Sequence, residues 1–262
     1  MTASSGPAMW MECFAGDARI EGGDADAVAD LFVAHANESH DWSLEEESLR
    51  NYARNYAEAN VRLTGPTDRL DEIGEVTVRP VTEELIDDWI RFFDHDGFAG
   101  NPDWASCYCL EPHVPESEKE QERPWRELRA DMLDLLASGV AFGYLAYVDG
   151  RPAGWVNASL RSSYGLYASV DPEGPDPGSV IGVSCFLIAP SYRRHGVAAT
   201  LLDGVIADAR ERGAEWVEGY PYNEPEANDP GHFRGPRHIY EERGFEPIEE
   251  RAKDTVMRLP AG

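Results

Sequence analysis

The chain has 262 residues, enough to bury a sizeable core, and a formal net charge of -26 from 49 acidic against 23 basic residues. All the basic residues except Lys119 and Lys253 are arginines; this balance argues against nucleic-acid binding through a basic patch, and an evenly acidic, lysine-poor surface suggests a halophile's cytosol, where it stays hydrated in salt. The four cysteines, Cys13, Cys107, Cys109 and Cys185, are too few for a disulfide framework, and apolar runs of strand length only lead to the expectation of a cytoplasmic chain without a membrane segment.

Residues 1–23 begin with a small, polar leader and contain Trp10, Met11, Cys13 and Phe14, a docking segment with no evident chemistry. Asp24 is placed to cap a helix carrying Val28, Leu31 and Phe32, and a second helix is expected from Leu44 to Asn60 with Leu49, Tyr52 and Tyr56 inward. His35 and His40 fall near the end of the first helix and read as helix-terminal or surface residues. After Gly65-Pro66, Glu75 to Pro80 alternates as a strand, and Thr82 precedes a helix bearing Leu85, Ile86, Trp89, Ile90 and Phe93. Residues 94–122 are irregular. Pro124 and Gly139 frame a helix with Trp125, Leu128, Met132, Leu135 and Leu136 on its inner side.

Ala141–Val148 and Ala153–Leu160 read as strands joined at Asp149-Gly150, a hairpin signal. Residues 161–178, rich in Tyr, Pro and Gly, form a loop that either covers a substrate through Tyr164 and Tyr167 or makes a solvated excursion. Val180 to Ile188 is an unbroken apolar run of a buried strand, stopped by Pro190. Val197, Leu201, Val205 and Ala209, with Ala198, Leu202 and Ile206, make one face of a helix that Gly213 should end. Between them, Arg193-Arg194-His195-Gly196-Val197-Ala198 sets small residues at the positive end of a helix dipole, an anion site suited to phosphate. Trp216–Tyr220 is a short strand, 221–235 a loop, and Phe245–Glu249 with Thr255–Leu259 a terminal strand pair.

The central unit contains no Gly-x-Gly-x-x-Gly and no Gly-Lys-Ser/Thr, which removes dinucleotide and Walker-type readings. Arg193, Gly196 and Ala198 occupy the three fixed positions of Gln/Arg-x-x-Gly-x-Gly/Ala, and Tyr240-Glu241 with Gly244-Phe245 matches Tyr-Glu-x-x-Gly-Phe about forty residues on. The pair resembles the GNAT N-acetyltransferases over 74–259. The resemblance implies an α/β GNAT acyl-CoA N-acyltransferase fold, a twisted mixed central sheet flanked by helices. The chain is longer than that domain needs, so residues 1–73 are expected to be a helical extension or dimerisation element before a domain of 74–262.

By resemblance, acetyl-CoA is the acyl donor, held at its pyrophosphate by Arg193, Arg194, His195, Gly196, Val197 and Ala198, while Phe186, Leu187 and Ile188 line one side of the cleft for the pantetheine arm. Tyr240 is the expected general acid for the leaving thiolate, since a phenol holds its proton at neutral pH. The family's usual Asn and Ala are Phe233 and Pro236 here, which removes one coenzyme contact and delays the last helix. The loop 94–122 is expected to shape the acceptor pocket, with Cys107 and Cys109 lining it. Cys-x-Cys near His113 lacks the second ligand pair of a zinc site, and no metal is expected. Glu111, His113, Glu218 and a water relay remain open as general base. The expected reaction is acetyl transfer from acetyl-CoA to a primary amine, small-molecule or peptide, by direct attack. The alternative is a non-catalytic coenzyme-A-binding sensor or interaction module; nucleic-acid and membrane partners are not expected, and a homodimer stays open.

Overall fold

The computed structural model describes residues 8–115, 122–167, 170–225 and 230–262. The leader at 1–7 and parts of the loops at 94–122, 161–178 and 221–235 lie outside the described residues. Strands β1 (Met9–Glu12) and β2 (Arg19–Gly22) pair antiparallel, and helices α1 (Ala25–Ser39) and α2 (Glu46–Arg62) pack on them. The hairpin adds to the two helices expected there: MWME and RIEG are too short for alternation to register. Asp24 does cap α1, its carboxylate accepting the Ala27 N–H at 2.8 Å. Val28 and Phe32 are buried with Met11, Ile20, Leu49 and Tyr56 in a core of their own, whereas Leu31 faces solvent.

The remaining strands form one seven-stranded sheet. In chain order they are β3 (Val76–Pro80), β4 (Gly143–Val148), β5 (Arg151–Leu160), β6 (Val180–Ile188), β7 (Trp216–Gly219), β8 (Glu246–Glu250) and β9 (Thr255–Pro260). In space the order is β3-β4-β5-β6-β7-β9-β8, antiparallel except for β6 beside β7. Asp149 (φ 50°) and Gly150 (φ 75°) are both left-handed, the conformation that a two-residue β4–β5 turn requires.

Side chains alternate across the sheet and sort the helices. On one face Val156, Ala158 and Ile181 pack against Val197, Leu201 and Val205 of α5 (Val197–Ala209). On the other, Leu145 and Trp155 meet Trp89 of α3 (Ile86–Arg91) and Met132 of α4 (Trp125–Ala137). A short helix α6 (Arg237–Glu241) begins just after Pro236, late as that proline implies. The β6–β7 pairing runs only from Val180↔Trp216 to Val183↔Gly219, so from Ser184 to Ile188 β6 keeps only β5 as its strand neighbour and the sheet splays on the β7 side. No helix among the described residues is long and apolar enough to cross a membrane.

Candidate active site

The splay opens into a cavity of about 1320 Å³. Its floor is the outer half of β6, where Phe186, Leu187 and Ile188 line it together with Cys185. At the Ile188 end stand Arg193, Arg194, Gly196, Val197 and Ala198, all lining the same cavity. Gly196 caps α5 with φ 78° and contributes no side-chain cap, so the first-turn amides of α5 have no intrahelical acceptor. Arg194 (φ 65°) is left-handed too, and the two residues turn the chain tightly into the helix. Arg193 donates through Nε to the Ile188 carbonyl at 3.0 Å, tying the loop to the strand. The His195 ring lies 2.9 Å from the Leu70 carbonyl and does not line the cavity, which leaves its backbone as the part available to an anion.

At the Cys185 end, the irregular segment after α3 closes over the sheet. Cys109 Sγ lies 3.0 Å from Cys185 Sγ, and Cys107 and Cys109 line the cavity as expected, all as free thiols. Tyr108 (φ 46°) and Cys109 (φ 52°) are consecutive left-handed residues, a costly bend that aims the thiols at β6. Burial pushes Cys107 up to about 12 and Cys109 well above the ordinary thiol range, so neither is a ready nucleophile at neutral pH.

Two acidic groups that sequence reasoning missed, Asp103 and Glu122, face the same space as Glu111. Glu122 accepts from Asn55 Nδ2 at 2.9 Å and from Ser106 Oγ at 3.2 Å, and burial raises its carboxyl above the usual range. Asp103 accepts the Tyr52 hydroxyl at 2.6 Å. Asn55 and Tyr52 both come from α2, so the N-terminal extension supports this acidic wall of the cavity directly, a long-range contact that no local pattern announces.

Several expected residues sit elsewhere. Tyr240 is fully buried and does not line the cavity; its hydroxyl donates to the Arg234 carbonyl at 2.8 Å. The reason is local: with α6 delayed by Pro236, the Arg234-Gly235 turn folds over the phenol, and a Cβ on Gly219 would come within 2.1 Å of the ring on its other side. Phe233 takes part in the cleft instead, its carbonyl accepting the Phe186 N–H at 2.5 Å and its ring meeting Trp104 edge-on at 5.8 Å. Tyr164 and Tyr167 are core residues, not substrate contacts: Tyr164 donates to Asn157 Oδ1 at 2.8 Å, and Tyr167 stacks on Tyr220 at 3.8 Å.

Of the three base candidates, Glu218 is fully buried between Arg161 (3.0 Å) and Arg258 (2.5 Å) and serves the sheet. His113 is packed behind the wall, its Nδ1 at the Ser163 carbonyl (3.1 Å) and its Nε2 at Asn157 (3.1 Å), with burial lowering its pKa. Glu111 alone of the three lines the cavity.

The sequence model of the Acetyltransferase (GNAT) family matches residues 102–245, more than half of the chain, from the acceptor wall through the loop before α5 to Phe245. The chain belongs to the GNAT acetyltransferase family. Its fold is similar to solved structures at low identity. An N-acetyltransferase from Staphylococcus aureus Mu50 is 12% identical, with 72% of this chain and 100% of that one covered at a TM-score of 0.45. yncA from Salmonella typhimurium, solved with its cofactor acetyl-CoA, is 12% identical with 71% and 94% covered and a TM-score of 0.42. The paia N-acetyltransferase of Thermoplasma acidophilum in complex with coenzyme A is 12% identical with 71% and 99% covered and a TM-score of 0.43. No curated protein matches the sequence.

Proposed function

We propose that this GNAT protein transfers an acetyl group from acetyl-CoA to a cationic primary amine. The observation that carries the reading is one cavity lined both by an anion-binding helix N-terminus and by the carboxylates Asp103, Glu111 and Glu122. From Cys185 to Ile188 is roughly 10 Å of extended strand, so a coenzyme anchored at Arg193–Ala198 presents its thioester toward the Cys185 end, where the acidic wall begins. The volume exceeds the roughly 300–1,000 Å³ of a single-ligand pocket, consistent with two substrates held together.

The first-turn amides of α5 hold the pyrophosphate, and Phe186, Leu187 and Ile188 flank the pantetheine arm. The acidic wall attracts an ammonium group, and Glu122, with its raised pKa, takes the proton that the amine must lose before attack. The amine nitrogen then adds to the thioester carbonyl, the C–S bond breaks, and the products are an N-acetyl amine, coenzyme A thiol and a proton released to solvent. In the observed conformation Tyr240 acts by holding the Arg234 carbonyl rather than by protonating the thiolate. On this reading residues 74–262 carry the chemistry and 1–73 form an extension, a division supported by the separate N-terminal core.

Calorimetric titration with acetyl-CoA, followed by thiol release against a panel of polyamines, aminoglycosides and peptides, tests the proposal. Binding abolished by Gly196→Trp, with turnover on diamines weakened more than tenfold by Glu122→Gln, is the expected result. Tight binding with no thiol released by any amine would leave the coenzyme-binding sensor as the reading.

A further inference from the structure

A second cluster of reactive side chains lies in the N-terminal unit, which the transfer chemistry does not use. Past β1 the chain turns back through two backbone bonds, Cys13 N–H to the Ala18 carbonyl (2.8 Å) and Gly16 N–H to the Cys13 carbonyl (2.7 Å), with Gly16 left-handed at φ 74°. This tight loop puts Cys13 and Asp17 on the same end of the hairpin. Helix α1 buries Val28, Phe32 and Ala36 against Met11, Cys13 and Ile20, and so carries His35 on its last turn and His40 just past its end to the hairpin loop. Four side chains from two elements therefore meet: Cys13 Sγ, an Asp17 carboxylate oxygen and the Nε2 atoms of His35 and His40 lie within 4.8 Å of one another.

Four of the six pairwise separations are close to those around one ion. His35 Nε2 is 3.3 Å from His40 Nε2 and 3.3 Å from Asp17 Oδ1; His40 Nε2 is 3.2 Å from Asp17 Oδ2 and 3.5 Å from Cys13 Sγ. Zinc bonds of about 2.0–2.3 Å in a tetrahedron set ligand atoms roughly 3.3–3.8 Å apart. Ion pairing accounts for each imidazole against one Asp17 oxygen, yet gives no reason for a buried thiol to close the same cluster. His35 has a partner on its other ring nitrogen, as metal-ligating histidines usually do, and the His40 ring is held by an aromatic stack. His35 Nδ1 lies 3.4 Å from Ser39 Oγ, and the His40 ring stacks on Trp42 at 3.9 Å. The sequence order is Cys-x3-Asp on a hairpin, then His-x4-His at a helix end. That is the two-plus-two spacing of a ββα zinc module, with Asp in place of the second cysteine.

We propose that Cys13, Asp17, His35 and His40 bind a structural zinc ion that pins the β1–β2 hairpin to the end of α1. Cys13 is buried and Asp17 half-exposed, so the ion enters from the Asp17 side and is closed off by four protein ligands. On this proposal His35 and His40 are ligands rather than plain helix-terminal residues, and a metal takes the place of the expected absence of one. Its reach is longer than its size, because α1 packs on α2, and α2 holds Asp103 and Glu122 in the acceptor wall.

The test uses the full chain with any affinity tag removed. Metal content is measured after purification, and the chelated protein is titrated with Co(II). Expected are one equivalent of zinc per chain and a tetrahedral Co(II) visible spectrum carrying a thiolate charge-transfer band, which zinc displaces stoichiometrically. Cys13→Ala should abolish that band and His35→Ala with His40→Ala the binding, while Cys107→Ala with Cys109→Ala leaves both intact. Thermal unfolding of each variant followed by circular dichroism separates lost ligation from lost folding, and a chelator should lower the wild-type Tm but not that of the variant with both His35→Ala and His40→Ala. A folded wild type that takes up no Co(II), or a spectrum that survives in the Cys13 and His variants, would overturn the site.

Discussion

Tyr240 and Glu122 exchange the roles that chemistry alone would give them. A phenol donating to a backbone carbonyl inside the core is a positioning group, and its replacement by Phe should cost about 1 kcal/mol of stability, the worth of one buried hydrogen bond. Acetyl-CoA binding should weaken several-fold through the loosened Arg234-Gly235 turn, with kcat nearly unchanged; a general acid would instead lose ~10²–10⁴-fold in kcat. Steady-state kinetics of Tyr240→Phe with both substrates varied decides between them. Glu122 makes an opposite prediction. Its carboxyl is held above the ordinary 4.5 by burial, and a base must be ionised to act, so activity should fall as pH drops through that raised pKa. The acid limb of kcat/KM should therefore lie above the range of an exposed carboxylate in the wild type and disappear in Glu122→Gln, leaving a low, flat profile.

At the scale of elements, several side chains of α2 join the extension to the transferase, and Asn55 makes three of the bonds. Asn55 of α2 donates to Glu122 Oε1 (2.9 Å) and to the Arg123 carbonyl (2.8 Å), and its Oδ1 accepts the Trp125 N–H (2.9 Å). It thus supplies from α2 the cap for α4 that Pro124 makes with no side-chain bond of its own. Asn55→Ala should destabilise by about 1–3 kcal/mol, since it orphans buried partners. It should also raise the KM of the acceptor while leaving the Kd of acetyl-CoA unchanged, as read by thermal unfolding and calorimetry. This bridge marks where sequence stops being informative. The β4–β5 hairpin, β6, the loop at Arg193–Ala198 and α5 were legible because each is set by residues adjacent in the chain: Asp149-Gly150, an apolar run, a glycine cap, an i, i+4 stripe. The acceptor wall depends on α2 meeting residues 103–125, and the Cys13–His40 cluster on α1 folding back over a hairpin, neither of which any periodicity encodes. The sequence leaves the loop of Tyr164 and Tyr167 open between a substrate cover and a solvated excursion for the same reason: only the closed sheet reveals Asn157 and Tyr220 beneath them.

For the whole molecule, the formal charge of -26 acts in two directions that salt separates. Exposed acids repel one another over a Debye length of about 10 Å at 0.1 M and about 3 Å at 1 M ionic strength. Buried pairs such as Arg161 with Glu218 are shielded from that screening. Added KCl should therefore raise Tm; a rise that continues into molar salt supports the halophilic expectation, whereas a plateau at physiological ionic strength restricts the effect to screening. The acidic wall responds in the contrary sense. If Asp103, Glu111 and Glu122 attract the acceptor through its charge, screening should raise the KM of a diamine over the same salt range in which the fold becomes firmer. A neutral amine should show no such rise. Opposed trends in Tm and diamine KM would locate charge recognition in the cavity itself, and a diamine KM indifferent to salt would remove the cationic acceptor from the proposal while leaving acetyl transfer in place.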